Sequence, residues 1–201
     1  MRRAAAFAVV AALAGLGAAP FAAMAPPVRA KSGMVVAQDG IAAQIGADIL
    51  RDGGTAVDAV VATAFALAVT LPAAGNIGGG GFLVVRQAGG QSAAYDFRET
   101  APAGSSPTMF LRGGKYDAAL HHNSHLAVGV PGTVAGLHLA WREQGSLPWS
   151  RLLGPAVKLA REGFVVSAGL AQSLQDVLPR FQRASAAAVA QFSRKDRKSV
   201  V

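Results

Sequence analysis

The chain has 201 residues, of which 52% are hydrophobic and 15% are charged, so it is long and apolar enough for a folded domain rather than a disordered one. The formal net charge is +8, yet residues 31–193 hold 12 Lys and Arg against 10 Asp and Glu, so the body offers no basic surface for nucleic acid. The absence of cysteine excludes disulfides and thiolate metal sites.

The first 30 residues predict a signal peptide. Arg2 and Arg3 precede the apolar run Ala4–Ala19, which is too short for a comfortable membrane span. The small-x-small sequence that ends at Ala30 fits a cleavage site. We therefore expect a periplasmic or secreted protein without a stable membrane span, with an uncleaved N-terminal anchor as the alternative.

Two helices are predicted after a short strand at 33–38. Asp39 is expected to cap the first helix, which carries isoleucines at a spacing of four residues. Thr55 and Asp58 have the spacing of a capping box for the second helix. Residues 59–71 carry no charge, so this helix belongs to the core, and Asp58 is expected to serve its N-terminus rather than act as a catalytic acid.

Four consecutive glycines, Gly78–Gly81, follow this helix and precede a hairpin predicted over Phe82–Arg86 and Ser92–Phe97. A phosphate-binding loop would need a Lys-Ser/Thr pair, or a strand before the glycines and a helix after them. Neither arrangement is present, so we expect the glycines to allow close backbone packing or a positive φ.

Residues 103–124 are expected to form a loop, followed by a helix that starts near Thr133. Further helices are predicted over Trp149–Glu162 and Ala168–Leu178, with Ser167 capping the latter. The order of elements predicts an α+β fold in which helices pack on an antiparallel sheet.

Arg98 is the candidate binding residue, because it stands where an apolar strand gives way to a loop. Its guanidinium offers a fork of donors that suits a carboxylate. The alternative is a structural salt bridge with Asp96 or Glu99.

A second candidate is a group of three histidines, His121, His122 and His125, which form either a metal site or a solvated turn. A third is the start of a helix near Thr133, which is either an anion site or a simple cap. No recognisable nucleophile motif is present. We favour the solvated turn and the simple cap, and we predict no metal and no cofactor.

Six ordered segments across residues 31–192 resemble the gamma-glutamyltransferase (gamma-glutamyltranspeptidase) family of exported bacterial type. They are GMVVAQ at 33–38, ILRDGGTAVDAVVATAFALAVTLP at 49–72, GNIGGGGF at 75–82, DFRETAP at 96–102, HLAVGVPGTVAGL at 125–137 and PAVKLAREGFVV at 155–166. Thr55 replaces the Asn that many members carry in the second of these segments.

The resemblance implies an N-terminal-nucleophile hydrolase fold, an αββα sandwich, made as a precursor that cuts itself into a large and a small subunit. A threonine at the start of the small subunit forms an ester with the γ-glutamyl group of glutathione or a similar compound, and water or an amino acid or peptide accepts that group. The family arginine that binds the substrate α-carboxylate maps to Arg98. A related acylase acting on β-lactam side chains or poly-γ-glutamate, and a secreted binding domain without catalysis, are the alternatives.

The resemblance also implies that residues 31–195 are the front part of the large subunit, so the nucleophilic threonine is not in this chain. Residues 196–201, DRKSVV, correspond to a common sequencing-adapter sequence translated in frame. We expect them to be an adapter-derived tail.

Overall fold

A computed structural model describes residues 27–193. Residues 1–26 of the signal peptide predicted over residues 1–30 lie outside this range. The tail predicted over 196–201 also lies outside it. The chain divides into two compact units, Met1–Ser32 and Gly33–Val201, and every element below belongs to the second. In the described part, no helix is both long and apolar enough to cross a membrane.

Two helices, α1 (Gly40–Arg51) and α2 (Ala56–Thr70), form the centre of the core. Asp39 Oδ1 accepts a hydrogen bond of 3.0 Å from Ala42 N, and Thr55 with Asp58 completes the predicted capping box. Both capping predictions are therefore confirmed. The two helices approach closely at Gly46, where the absence of a side chain leaves room for Thr63 Oγ1, which a Cβ would overlap.

The strand predicted over residues 33–38 is not formed. Val35 and Ala37 are half-buried, whereas Met34 and Val36 are exposed, so the alternation typical of a strand is present. A strand also needs a hydrogen-bonded neighbour, and the described residues place none beside this segment.

The predicted hairpin is confirmed as β1 (Phe82–Arg86) and β2 (Ser92–Asp96), which pair antiparallel from Phe82 opposite Asp96 to Arg86 opposite Ser92. Gly90 turns the chain at φ +89°. The inner face packs on the helical core through Leu83, Val85, Ala93 and Tyr95. The outer face remains uncovered, with Val84 75% exposed.

Residues 103–124 contain more structure than the predicted loop. A two-residue hairpin joins β3 (Leu111–Arg112) to β4 (Lys115–Tyr116), and helix α3 (Ala118–Asn123) follows, so the loop prediction is wrong over these elements. Two-residue strands are too short to show alternation in the sequence. Asp117 caps α3 by accepting a 2.9 Å hydrogen bond from Leu120 N.

Four more helices complete the described chain: α4 (Thr133–Gln144), α5 (Trp149–Glu162), α6 (Ala168–Ala184) and α7 (Ala186–Phe192). The predicted bounds of α5 and the Ser167 cap of α6 are confirmed. Helix α6 runs past its predicted end because Pro179 is accommodated inside it. Helices α1, α4 and α5 pack around α2, and α4 also contacts β2, so helices lie on one face of the hairpin.

Asp58 joins two of these elements from a fully buried position. Its carboxylate accepts hydrogen bonds from Thr55 N at 2.8 Å, Ser146 Oγ at 2.9 Å and Leu147 N at 3.3 Å. Burial alone would raise the pKa of Asp58, but the hydrogen bonds from Thr55, Ser146 and Leu147 lower it below its ordinary value. These partners are backbone N–H groups and the Ser146 hydroxyl, all within the fold, which supports a structural role.

Candidate active site

A cleft of about 660 Å³ lies beside Arg98, the predicted binding residue. Arg98 lies just beyond the end of β2, and the cleft wall continues through residues 99–102, 105–107, 109–110 and 126–129, with His121 also lining it. This volume suits a small-molecule ligand. The cleft therefore brings together Arg98 and one of the three predicted histidines.

Arg98 forms the salt bridge with Glu99 that was the alternative interpretation, but it uses only one of its three guanidinium nitrogens. Its Nε donates to Glu99 Oε2 at 3.3 Å, while its backbone N–H donates to Asp96 Oδ1 at 3.0 Å. The Arg98 side chain is 65% exposed, and among residues 27–193 no further partner of its guanidinium is found. Because an exposed ion pair adds little stability, this pair orients the side chain more than it stabilises the fold.

The Glu99 carboxylate connects Arg98 to the glycine run. The nearby backbone N–H groups of Glu99 itself and of Gly80, together with the Arg98 guanidinium, lower the pKa of Glu99 against the opposing effect of burial. Glu99 is thus a charged partner of Arg98 at neutral pH. The sequence analysis named Glu99 only as one of two possible salt-bridge partners of Arg98, and no signal in the sequence distinguished it from Asp96.

The glycine run packs backbone against backbone. A Cβ at Gly80 would lie 2.5 Å from Phe97 O and 2.7 Å from Glu99 N. No glycine of Gly78–Gly81 has a positive φ. Of the two roles predicted for the run, close packing is the one observed.

The start of α4 does not offer an open anion site. Gly79 O accepts hydrogen bonds from Gly132 N at 2.8 Å and Thr133 N at 3.0 Å. Thr133 does not cap the helix, because Gly132 is the N-cap residue and Thr133 Oγ1 instead donates to Asn76 Oδ1 at 2.6 Å. The prediction of Thr133 as the cap is therefore wrong.

Two of the three histidines form an aromatic cluster with Tyr116. The Tyr116 hydroxyl lies 2.7 Å from His121 Nδ1 and 3.3 Å from His122 Nε2, and the two imidazole rings are 4.4 Å apart and stacked. His125 lies apart from them in a short 3-10 helix. Within residues 27–193 no cluster of His, Asp and Glu side chains has the geometry of a metal site.

No hydroxyl group of the described cleft wall is hydrogen-bonded to a base. Ser106 Oγ lies 3.4 Å from Thr108 Oγ1, and no serine or threonine side chain among the described cleft residues bonds to a histidine or carboxylate. An activated nucleophile requires such a neighbour. The described part of the cleft can therefore bind and orient a ligand, and it shows no nucleophile.

Comparison of the sequence with known proteins matches it to one family. The profile of the family described as Gamma-glutamyltranspeptidase matches residues 42–200. The chain is similar to the glutathione hydrolase proenzyme of Escherichia coli (strain K12), at 50% identity over 165 residues. That match covers 80% of this chain and 28% of the relative, so the chain spans less than a third of that relative's length.

Solved structures agree. The gamma-glutamyltranspeptidase of Helicobacter pylori superposes with a TM-score of 0.82 at 40% identity, covering 87% of this chain and 50% of that one. The enzyme of Pseudomonas nitroreducens complexed with L-DON gives 0.73 at 44% identity, covering 78% and 47%. These likenesses confirm the predicted α+β class and the N-terminal-nucleophile hydrolase fold, of which the chain holds a part.

Proposed function

Because the chain belongs to the gamma-glutamyltranspeptidase family, we propose that it is part of an enzyme that cleaves the γ-glutamyl bond of glutathione and related compounds. In this proposal the γ-glutamyl group passes to water, an amino acid or a peptide. The supporting observation is Arg98, whose guanidinium lines a cleft and is engaged by Glu99 through Nε.

The role proposed for Arg98 is to hold the α-carboxylate of the γ-glutamyl group. Glu99 occupies the Nε side of the guanidinium, and the two Nη groups stay available for the two oxygens of a carboxylate. Such a bidentate, charge-assisted pair is worth about 1.5–3 kcal/mol. The α-carboxylate is then fixed at one end of the cleft, and the γ-carbonyl lies along it.

The nucleophile in this proposal is a threonine in the part of the protein that this chain does not contain. Its hydroxyl attacks the γ-carbonyl while its own α-amine takes the proton, and the amine of the leaving group departs with a proton. Water or an acceptor amine then attacks the ester and releases the threonine. The described residues bind and orient the substrate for that attack and need no cofactor.

The proposed partner within the enzyme is the protein's own small subunit after self-cleavage. The uncovered outer face of the β1–β2 hairpin supports this, because an αββα sandwich stacks a second sheet there. The arginine-led apolar N-terminus supports export to the periplasm or beyond. N-terminal sequencing of the exported protein is expected to start at Lys31, and a start at Met1 would contradict cleavage.

The proposal is tested in the complete gene with Arg98→Ala. We expect KM for glutathione and for γ-glutamyl-p-nitroanilide to rise about 10- to 100-fold, since about 1.4 kcal/mol corresponds to one decade. Precursor self-cleavage should be normal, because that step involves no substrate carboxylate. Arg112→Ala is the matched control, as Arg112 is also exposed and ion-paired, 3.0 Å from Asp117, outside the cleft wall.

If KM for both substrates is unchanged in Arg98→Ala, Arg98 has a structural role and does not bind the substrate. The same assay separates the alternative functions. Activity on a β-lactam side-chain amide or on poly-γ-glutamate, with none on glutathione, would indicate a related acylase. A complete gene that lacks the nucleophilic threonine, with no turnover of any of these substrates, would indicate a binding protein.

A further inference from the structure

The glycine run lies directly against the backbone that carries Arg98. We propose that Gly80 is a positioning residue for Arg98, and that Gly129 and Gly132 complete a cradle, named here the glycine cradle, around the backbone of residues 97–99. This inference rests on the proposed function of Arg98 and adds to it the feature that places the guanidinium.

Gly80 supports the first side of the glycine cradle. A Cβ at this position would lie 2.5 Å from Phe97 O, 2.7 Å from Glu99 N and 2.9 Å from Arg98 C. All three are backbone atoms, and ordinary contacts of a Cβ begin near 3.4 Å. A methyl group at Gly80 therefore cannot be absorbed by a side-chain rotation, and the backbone must move by several tenths of an ångström.

Gly129 and Gly132 support the other side. A Cβ at Gly132 would overlap Phe97 O and lie 3.3 Å from Arg98 O, and a Cβ at Gly129 would lie 2.8 Å from Glu99 Cβ. The neighbouring residues Thr100 and Val130 exchange two backbone hydrogen bonds of 3.3 and 2.8 Å. The backbone of residues 97–99 is thus enclosed between two segments that are distant in sequence.

The glycine run cannot easily move away to relieve such a clash. Gly79 O accepts from the first two N–H groups at the start of α4, and Asn76 Oδ1 accepts from Gly79 N at 2.9 Å. Gly81 and Phe97 also exchange backbone hydrogen bonds of 3.0 and 3.4 Å. Because the run is held on both sides, a substituent on Gly80 shifts the segment of Arg98 and Glu99.

The expected effect appears in substrate binding. Such a shift is expected to weaken the charge-assisted contact between Arg98 and the substrate carboxylate roughly tenfold, which corresponds to about 1.4 kcal/mol. Gly80→Ala in the complete, self-cleaved enzyme should raise KM for γ-glutamyl-p-nitroanilide about tenfold and lower kcat less. Gly78→Ala is the matched control in the same run, since a Cβ there meets nothing within 4 Å.

Two comparisons distinguish positioning from a general loss of structure. The analogue of γ-glutamyl-p-nitroanilide with an α-carboxamide cannot form the ion pair with Arg98, so Gly80→Ala should hardly change its kcat/KM. In an Arg98→Ala background, Gly80→Ala should add little to the rise in KM, because both changes act on one contact. A general structural effect would instead lower kcat/KM for both substrates and in both backgrounds.

The outcomes separate this inference from the proposed function. If Arg98→Ala raises KM and Gly80→Ala does not, the glycine cradle is overturned and the role of Arg98 stands. If Arg98→Ala leaves KM unchanged, the proposed role of Arg98 is wrong, and the positioning role of Gly80 that rests on it is wrong as well. Should Gly80→Ala prevent self-cleavage, Gly129→Ala applies a milder push on Glu99, and failure of both to mature would show that the cradle serves folding alone.

Discussion

Arg98 and Glu99 are adjacent in sequence, yet they make different contacts. Glu99 accepts from the Nε of Arg98, and the nearby backbone N–H groups of Glu99 and Gly80 help to lower its pKa. In the proposed function, the Nη groups of Arg98 are the part of the pair that binds the substrate. The geometry of the guanidinium, and not only its charge, therefore decides what this residue can bind.

The geometry can be tested by a substitution that keeps the charge. Arg98→Lys in the complete enzyme retains a cation but loses the planar fork, so one charge-assisted hydrogen bond of about 1.5–3 kcal/mol is lost. We expect KM for glutathione to rise about 10-fold or more, with kcat less affected. Steady-state kinetics give the answer, and wild-type KM in this variant would show that charge alone is recognised.

Asp58 illustrates a residue whose contribution is stability. Asp58→Asn places an amide group among the N–H donors of Thr55, Ser146 and Leu147, and should destabilise the protein by about 1–3 kcal/mol at neutral pH. The thermal midpoint of the complete protein should fall by several degrees. Asp176→Asn is the control, because Asp176 is an exposed residue bonded to Gln172. Equal midpoints for the two variants would contradict this role.

The same carboxylate gives a pH dependence with a defined sign. The pKa of Asp58 in the folded protein lies below its ordinary value of 3.8, so the stabilisation is fully present above about pH 3.8 and is lost as the pH falls through the folded pKa. The difference in thermal midpoint between wild type and Asp58→Asn should therefore be constant from pH 7 to pH 5 and shrink below pH 4. A difference that grows on acidification would refute the assignment.

At the scale of elements, the β1–β2 hairpin has two unlike faces. Its inner side chains pack on the helices, whereas Phe82 is 64% and Val84 is 75% exposed on the outer face. Val36 in the unpaired segment 33–38 is 83% exposed as well. Apolar side chains at strand spacing without a cover are typical of a sheet that another layer packs against.

We expect the outer face to be covered in the complete protein, so Val84→Lys should place a charge in a buried layer and block folding or self-cleavage of the precursor. Val165→Lys is the control, because Val165 lies outside the helices and strands and is 89% exposed. The fraction of precursor cleaved, measured by gel electrophoresis, distinguishes the two variants. Normal cleavage of Val84→Lys would mean that the hairpin face is open to solvent.

At the scale of the whole molecule, the chain holds the Arg98 cleft and an incomplete sheet, and the proposed threonine is not among its residues. In the proposed function, the described residues provide one binding end of the site and the helices that support it. Activity and assembly are therefore expected to require parts of the enzyme that this chain does not contain, since the match covers 28% of the Escherichia coli relative.

Purified alone, the fragment 31–193 should release no p-nitroaniline from γ-glutamyl-p-nitroanilide, since it lacks an activated nucleophile. It should also be poorly soluble, because the edges of β1 and β2 and their outer face lack partners. Size-exclusion chromatography and thermal unfolding test the second point. Turnover by the fragment, or a cooperative transition from a monomer, would contradict the respective expectation.

The features that were predictable from the chain alone are those made by neighbours in sequence. Asp39, Thr55 with Asp58, and Ser167 cap their helices through hydrogen bonds that reach three residues ahead, and the alternation of β1 and β2 marks a half-buried hairpin. The family motifs also single out Arg98 as the binding residue, and that role stays a prediction. Such local hydrogen bonds and spacings depend on no distant partner, so the sequence expresses them directly.

Other features arise where distant segments meet. The segment at 33–38 has the pattern of a strand but no neighbour to pair with, and the N–H groups at the start of α4 are taken by Gly79 O, more than fifty residues earlier in the chain. The choice of Glu99 over Asp96 as the partner of Arg98, and the reason for the glycine run, likewise depend on how Gly80 meets residues 97–99. These contacts follow from folding in three dimensions, because backbone packing between remote segments leaves only a glycine as its trace in the sequence.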